Sequence, residues 1–231
     1  MRPARALAML AAMRARGLLA WLTIWSVAFG VLEGAVVVYL RRIFYPGAPP
    51  DASLFPLRDM AADIVLVEVA REAATLLMLL GVAMLAERRP LRRFAAFAFC
   101  FGVWDIVYYV MLRAAIGWPA SLLEWDILFL IPAPWTSPVL APVLVSLALI
   151  GAAVLILRRI GDATPSPFRP LDWALQAACG ALMLWSFFWN AAPVARIELP
   201  GAYPWWLFLA GWLGGLAVFG ARWRRVAAGT G

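Results

Sequence analysis

The chain has 231 residues, of which 65% are hydrophobic and 14% charged, with 13 Trp and a mean hydropathy of +0.85. Such a composition excludes a soluble core and describes a multi-spanning membrane protein, because each spanning helix takes roughly 20 mainly apolar residues. The net charge of +7 rests wholly on arginine, since the chain has no Lys and no His, and the arginines cluster at the ends of apolar runs. There they read as orientation signals and not as a nucleic-acid surface.

In chain order, residues 1–16 form an arm that mixes Ala, Leu and Met with arginine, read as a short helix lying on the inner surface or as a loose tail. Apolar runs at 17–40, 62–86, 94–116, 138–157, 172–191 and 203–220 predict six spans. The first is retained as a helix and not cleaved as a signal peptide. Its run exceeds a signal core of about 7–15 residues, it carries Glu33, and it ends in Arg41 and Arg42.

Between the third and fourth spans, Ser121-Leu-Leu-Glu124 follows Pro119 with the spacing of a capping box, which predicts a helix over 122–131. Pro132, Pro134, Pro138 and Pro142 stop it, because proline removes a backbone donor and clashes with the preceding turn. That helix is too short to span, so it is interfacial or re-entrant, with Trp118, Trp125 and Trp135 at headgroup level. The expected fold is all-α: one polytopic membrane helix bundle of about six transmembrane helices plus one short interfacial or re-entrant helix. On the side of the two termini the arm, the second and fourth connections and the C-terminus hold fourteen arginines. The opposite side holds four, Arg41, Arg42, Arg58 and Arg196, so both termini are expected in the cytoplasm.

Charges inside the spans are the chief functional signal. Insertion scales put a charge at the bilayer centre at about 2.5–3.5 kcal/mol, so Glu33, Glu68, Arg71, Glu72 and Asp105 are expected to face a bundle interior or a water-filled cavity. At 1.5 Å per residue, Glu33 lies about 10 Å below the outer boundary, Glu68 about 9 Å, Glu72 about 15 Å, Asp105 about 16 Å and Tyr109 about 10 Å. Three successive helices thus carry polar groups in the same half of the membrane. Glu68, Glu72 and Thr75 follow at i, i+4 and i+7, and Asp105 and Tyr109 at i and i+4, so each set shares a helix face. Ser26, Gly30 and Gly34 make a stripe of small residues beside Glu33, and Gly211 and Gly215 give the last span a similar close-packing face. One arginine, Arg71, neutralises one of the four acids, and Arg113 near the outer boundary either reaches down to another or snorkels out. The remaining acids are protonated, meet water or bind a cation.

Other chemistry is struck out by what the sequence lacks. Without His there is no imidazole for haem, zinc or a nucleophile pair; without Lys there is no P-loop and no Schiff base. Cys100 and Cys179 fall within spans as packing residues. No catalytic residue, cofactor or metal is expected.

Four strings, Phe29-Gly-Val-Leu-Glu-Gly-Ala-Val-Val-Val-Tyr-Leu-Arg-Arg42, Glu68-Val-Ala-Arg-Glu-Ala-Ala-Thr75, Gly102-Val-Trp-Asp-Ile-Val-Tyr-Tyr109 and Gly117-Trp-Pro-Ala-Ser-Leu-Leu-Glu-Trp-Asp-Ile-Leu-Phe-Leu-Ile-Pro132, resemble an uncharacterised family of bacterial multi-pass membrane proteins. The resemblance covers roughly the first 145 residues and implies a bacterial inner membrane, with no activity to carry over.

Three functions remain open. In the first, Glu33, Glu68, Arg71, Glu72, Asp105 and Tyr109 hold a proton, a cation or a cationic small molecule. In the second the same groups are glue in a structural subunit or scaffold, with a homo-oligomer or a larger membrane complex as partner alongside the lipid bilayer. In the third, Arg113, Glu124 and Asp126 serve an outer-face site of a lipid-modifying enzyme.

Overall fold

The computed structural model describes residues 2–49, 52, 53, 55, 61–161 and 166–228, with 2–12 and 227 described by backbone alone. Arg58 and the side chains of Arg2 and Arg5 thus lie outside the described residues. Among the described residues the helices are α1 (Arg2–Phe44), α2 (Ala62–Ala86), α3 (Pro90–Ile116), α4 (Leu140–Arg159), α5 (Pro170–Phe188), the short α6 (Ala191–Ala195) and α7 (Trp205–Ala227). Six of them are long and apolar enough to cross a membrane.

The arm is neither a separate helix nor a tail. It continues into the first span as one helix of 43 residues, about 65 Å long at 1.5 Å per residue. Nothing between Ala4 and Arg16 breaks a helix, because Ala, Leu, Met and Arg are the strongest helix formers. Pro46 and Gly47, at φ 79°, end the run after Phe44. Pro90 opens α3 at its first turn and Gly117, at φ 76°, closes it in the left-handed conformation.

The centre of the bundle is α3, which packs on α1, α2 and α4, while α5 and α7 pair beside them. Small residues set these approaches. A Cβ on Gly30 would stand 2.8 Å from the Trp104 carbonyl oxygen, and one on Gly211 would stand 2.6 Å from that of Cys179, so α1 meets α3 and α7 meets α5 backbone to side. Both glycine faces are therefore filled within one chain. Cys100 and Cys179 are free thiols.

Residues 122–131 are not a helix, interfacial or re-entrant. They lead into a hairpin of β1 (Trp125–Phe129) and β2 (Trp135–Pro138), antiparallel, with Asp126 opposite Ser137, Ile127 opposite Thr136 and a bulge between Ile127 and Phe129. The capping residues are used, but for a tight turn. Ser121 Oγ accepts from Leu123 N at 3.1 Å and a Glu124 carboxylate oxygen accepts from Ala120 N at 2.7 Å. Downstream prolines forbid helical continuation, and the strand partner satisfies the backbone instead. The additional short helix of the fold lies elsewhere, at Ala191–Ala195.

The hairpin reaches deep. Leu130 N donates to Glu72 Oε2 at 2.8 Å, and Glu72 stands ten residues, about 15 Å, along α2. Such backbone is tolerated at that depth because protein surrounds it. Phe129 packs on Trp104 and Trp135, Trp135 on Phe187 and Phe188, and Trp125 on Tyr203. The hairpin is thus the wedge that joins the α1–α4 bundle to the α5–α7 pair.

Candidate functional site

One cavity of about 640 Å³ lies beside the wedge, walled by α1, α2, α3, the hairpin and the α5–α6 end. Glu33, Glu68, Arg71, Glu72, Asp105 and Tyr109 all line it, and so do Arg41 and Asp126. Five acids therefore face two arginines across one space. Their carriers explain the convergence: α1 brings Glu33, Val37 and Arg41 at i, i+4 and i+8, α2 brings its i, i+4, i+7 stripe, and the wedge brings Asp126.

Within the cluster the arginine is shared. Arg71 Nη1 bonds Glu33 Oε2, and Arg71 Nε donates to Glu68 Oε2 at 2.9 Å. Thr75 Oγ1 donates to Glu33 Oε1 at 2.5 Å. Glu72 is bonded to the hairpin amide of Leu130, and among the described residues it has no salt bridge. Asp105, 8% exposed, accepts from Ser146 Oγ of α4 at 2.8 Å and likewise has no salt bridge among the described residues. With Asp126, three carboxyl groups thus border the cavity without a salt bridge among the described residues.

Tyr109 points to the wedge and not to Asp105. Its hydroxyl donates to Asp126 Oδ2 at 2.9 Å, which places Asp126, 1% exposed, inside the protein. Burial pushes the Asp126 carboxyl up from 3.8 to about 6, against the Tyr109 hydrogen bond and the Arg41 charge, which favour ionisation. Of the outer-face grouping, Glu124 stays near Asp126, while Arg113 stands apart from both. Arg113 is exposed and caps its own helix through the carbonyls of Gly117 and Pro119, so its guanidinium turns toward the outer end and, among the described residues, pairs with no acid. Glu124 closes its turn, while Asp126 faces the cavity.

Arg41 is the residue that sequence reasoning misses. It reads as a loop charge at a helix end, yet it is 9% exposed, with its guanidinium 4.1 Å over the Trp118 ring. Nη1 donates to Ala52 O at 3.1 Å, but Nε and Nη2 are buried without a hydrogen-bond partner among the described residues. The Trp104 indole N–H is also buried without a partner among the described residues and also belongs to a residue of the cavity wall. Each such donor costs about 1–3 kcal/mol unless something accepts from it. The i+8 spacing from Glu33 is the one sequence signal that places Arg41 on the same face.

No family model, no curated protein and no solved structure matches this chain.

Proposed function

We propose that the protein is a membrane-embedded binding or carrier protein whose cavity takes a proton or a cationic small molecule, with Glu72 and Asp105 as the groups that meet it. The observation that carries this reading is the surplus: acids from α1, α2, α3 and the wedge line one space, and Arg71 is already divided between Glu33 and Glu68. Buried carboxylates without a paired cation favour a proton or a positive ligand. Among the described residues no three carboxylate or thiol side chains are grouped to hold a metal ion, which favours a proton or an organic cation. The arginine distribution supports cytoplasmic termini, and the resemblance noted above implies a bacterial inner membrane, which together would put the cavity under the periplasmic face.

The test is made in reconstituted vesicles with a pH-sensitive dye and the lipophilic cation tetraphenylphosphonium. Wild-type protein is expected to take up protons or retain the cation, and the Glu72→Gln, Asp105→Asn double variant is expected to lose at least ten-fold of that signal. The reading fails if wild type does neither, or if the double variant does as much as wild type.

A structural subunit is the second reading, favoured by the bonds themselves. Glu33 ties α1 to Arg71 and Thr75 of α2, and Glu72 anchors the wedge. Under that reading the double variant lowers thermal stability, moves no ligand signal, and a pull-down in mild detergent returns another membrane protein.

A further inference from the structure

The cavity that holds the acids also holds a row of aromatic rings. Phe101, Trp104 and Tyr108 stand at i, i+3 and i+7 of α3, and all three line the space, as does Phe129 of the wedge. The rings form one chain of contacts: Phe101 to Trp104 at 5.5 Å between centroids, and Trp104 to Tyr108 and to Phe129 at 6.5 Å each. On the α2 side of the same space, Val65, Glu68 and Glu72 stand at i, i+3 and i+7. The Leu130 amide ties Glu72 to the wedge one residue from Phe129, so acid and rings meet there. Glu72 is 7% exposed. Its Oε2 accepts from Leu130 N, while Oε1 accepts from no described residue and, unlike Arg41 Nε and Nη2, is not sealed from the space beside it. An open carboxylate oxygen next to aromatic rings is the setting that holds an organic ammonium ion, drawn by the opposite charge and by the quadrupole of each ring. A proton needs no such row.

The rim of the cavity is apolar. Among its described wall residues the exposed ones are Val65 of α2, Leu184 of α5, Ala195 of α6 and Ile197 just beyond it. Because α2 packs on α3 and α5 on α7, this rim joins elements from different packed pairs. None of the four side chains offers water a hydrogen bond at the entrance, whereas all four match lipid. Val65 lies seven residues, about 10 Å, along α2 from Glu72, and on the same face. We propose that the ligand is a cationic amphiphile, an ammonium ion on an apolar chain, that enters from the lipid between α2 and the α5–α6 end. Its ammonium group meets Glu72 and the rings of Trp104 and Phe129, and its chain runs along α2 to the mouth at Val65. The assignment rests on the cation-binding reading above and adds to it the class of cation and the route of entry.

The test uses full-length protein in phosphatidylcholine nanodiscs, titrated against empty nanodiscs with four probes. These are decyltrimethylammonium, decanol, decyl sulfate and tetramethylammonium. Decyltrimethylammonium is expected to bind at least ten-fold more tightly than each of the other three, and Glu72→Gln is expected to weaken it ten-fold or more. A bulky mouth, Val65→Trp with Leu184→Trp, is expected to slow its association at least ten-fold in stopped-flow measurements. The outcomes separate this inference from the reading beneath it. Tetramethylammonium binding as tightly as decyltrimethylammonium leaves a cation site standing and overturns the amphiphile. Decanol or decyl sulfate binding as tightly overturns both. Association at the wild-type rate in the bulky-mouth variant overturns the lateral route, and wild-type affinity in Glu72→Gln overturns the placing of the ammonium group. Where a variant does not fold, the four probes on wild-type protein still decide whether the cavity takes a cationic amphiphile.

Discussion

Two arginine–glutamate groups are buried at different places in this bundle, and they are built to opposite ends. At the turn between α2 and α3, Arg92 and Glu87 pair with each other among the described residues. Nε donates to Glu87 Oε2 at 3.0 Å, Nη2 bonds Glu87 Oε1, and Nη1 donates to the carbonyls of Leu157 and Ile160 at 3.1 and 2.5 Å. All three nitrogens are engaged, both residues are buried, and neither borders the large cavity. In the cavity, by contrast, Arg71 serves two glutamates, a third acid, Glu72, follows it directly in the chain, and two nitrogens of Arg41 have no hydrogen-bond partner among the described residues. A charge within a membrane bundle is therefore not a site by virtue of being there. The closed pair clamps the end of α4 onto α3, and only the group with unmatched donors and acceptors has chemistry left to offer a ligand.

Removing the closed pair is expected to cost the most. Arg92→Ala strips Glu87 of its only described salt bridge and leaves two α4 carbonyls without their donor. Breaking a buried pair from one side costs about 3–5 kcal/mol, so a thermal melt in detergent is expected to show the largest drop of any variant here. Adding Glu87→Gln is expected to restore only part of it, since the carbonyls stay unpaired. An Arg92→Ala protein as stable as wild type breaks the comparison at its root.

The wedge gives the next effect, and its sign separates the regions. Asp126 titrates at about 6 in the folded protein against an ordinary 3.8, burial being the larger cause. Below about pH 4 both folded and unfolded forms hold the proton and nothing is lost. As pH rises toward 6 the unfolded chain releases it while the folded one keeps it, so stability falls, and by linkage the full loss above pH 6 is about 3 kcal/mol. Unfolding followed from pH 4 to pH 7 is expected to show that decline in wild type and not in Asp126→Asn. Tyr109, Arg41 and Glu124 surround the carboxyl and stay in place in that variant. Stability rising over the same range contradicts it.

What the sequence disclosed follows the range of the forces involved. Span number was legible because a lipid-crossing helix must carry its own apolar length, a purely local property. The stripe of Glu68, Glu72 and Thr75 was legible for the same reason, since helix periodicity alone puts them on one face. Contacts across the chain were not. Ser146 lies 41 residues from Asp105, and Trp118 reaches Arg41 only after α3 has turned back at Gly117. The hairpin was misjudged because Ser121 and Glu124 carry a true local signal, backbone capping, that serves a turn as well as a helix. What decides between them is the partner strand, Trp135–Pro138, and no window around Ser121 contains it. Arg41 was hidden by a rule that counts charges on each side of the membrane and is blind to where each one points.

The smallest effect is expected where the cluster can be rescued by the cavity itself. Arg71→Gln frees Glu33 and Glu68 from their shared partner, yet Thr75 still bonds Glu33, and the Arg71 side chain is 25% exposed, so the space beside it is open enough to admit water. Hydration and proton uptake then limit the loss to about 1–2 kcal/mol, well under that of the closed pair. Pairing the change with Glu33→Gln removes the surplus charge and is expected to recover at least half of the loss in the same melt. The asymmetry is the decisive measurement: rescue by one neutralised acid at Arg71 and only partial rescue at Arg92 means that charge balance governs the cavity group, whereas bonded carbonyls govern the clamp. Equal rescue at both ends would make them the same kind of structure.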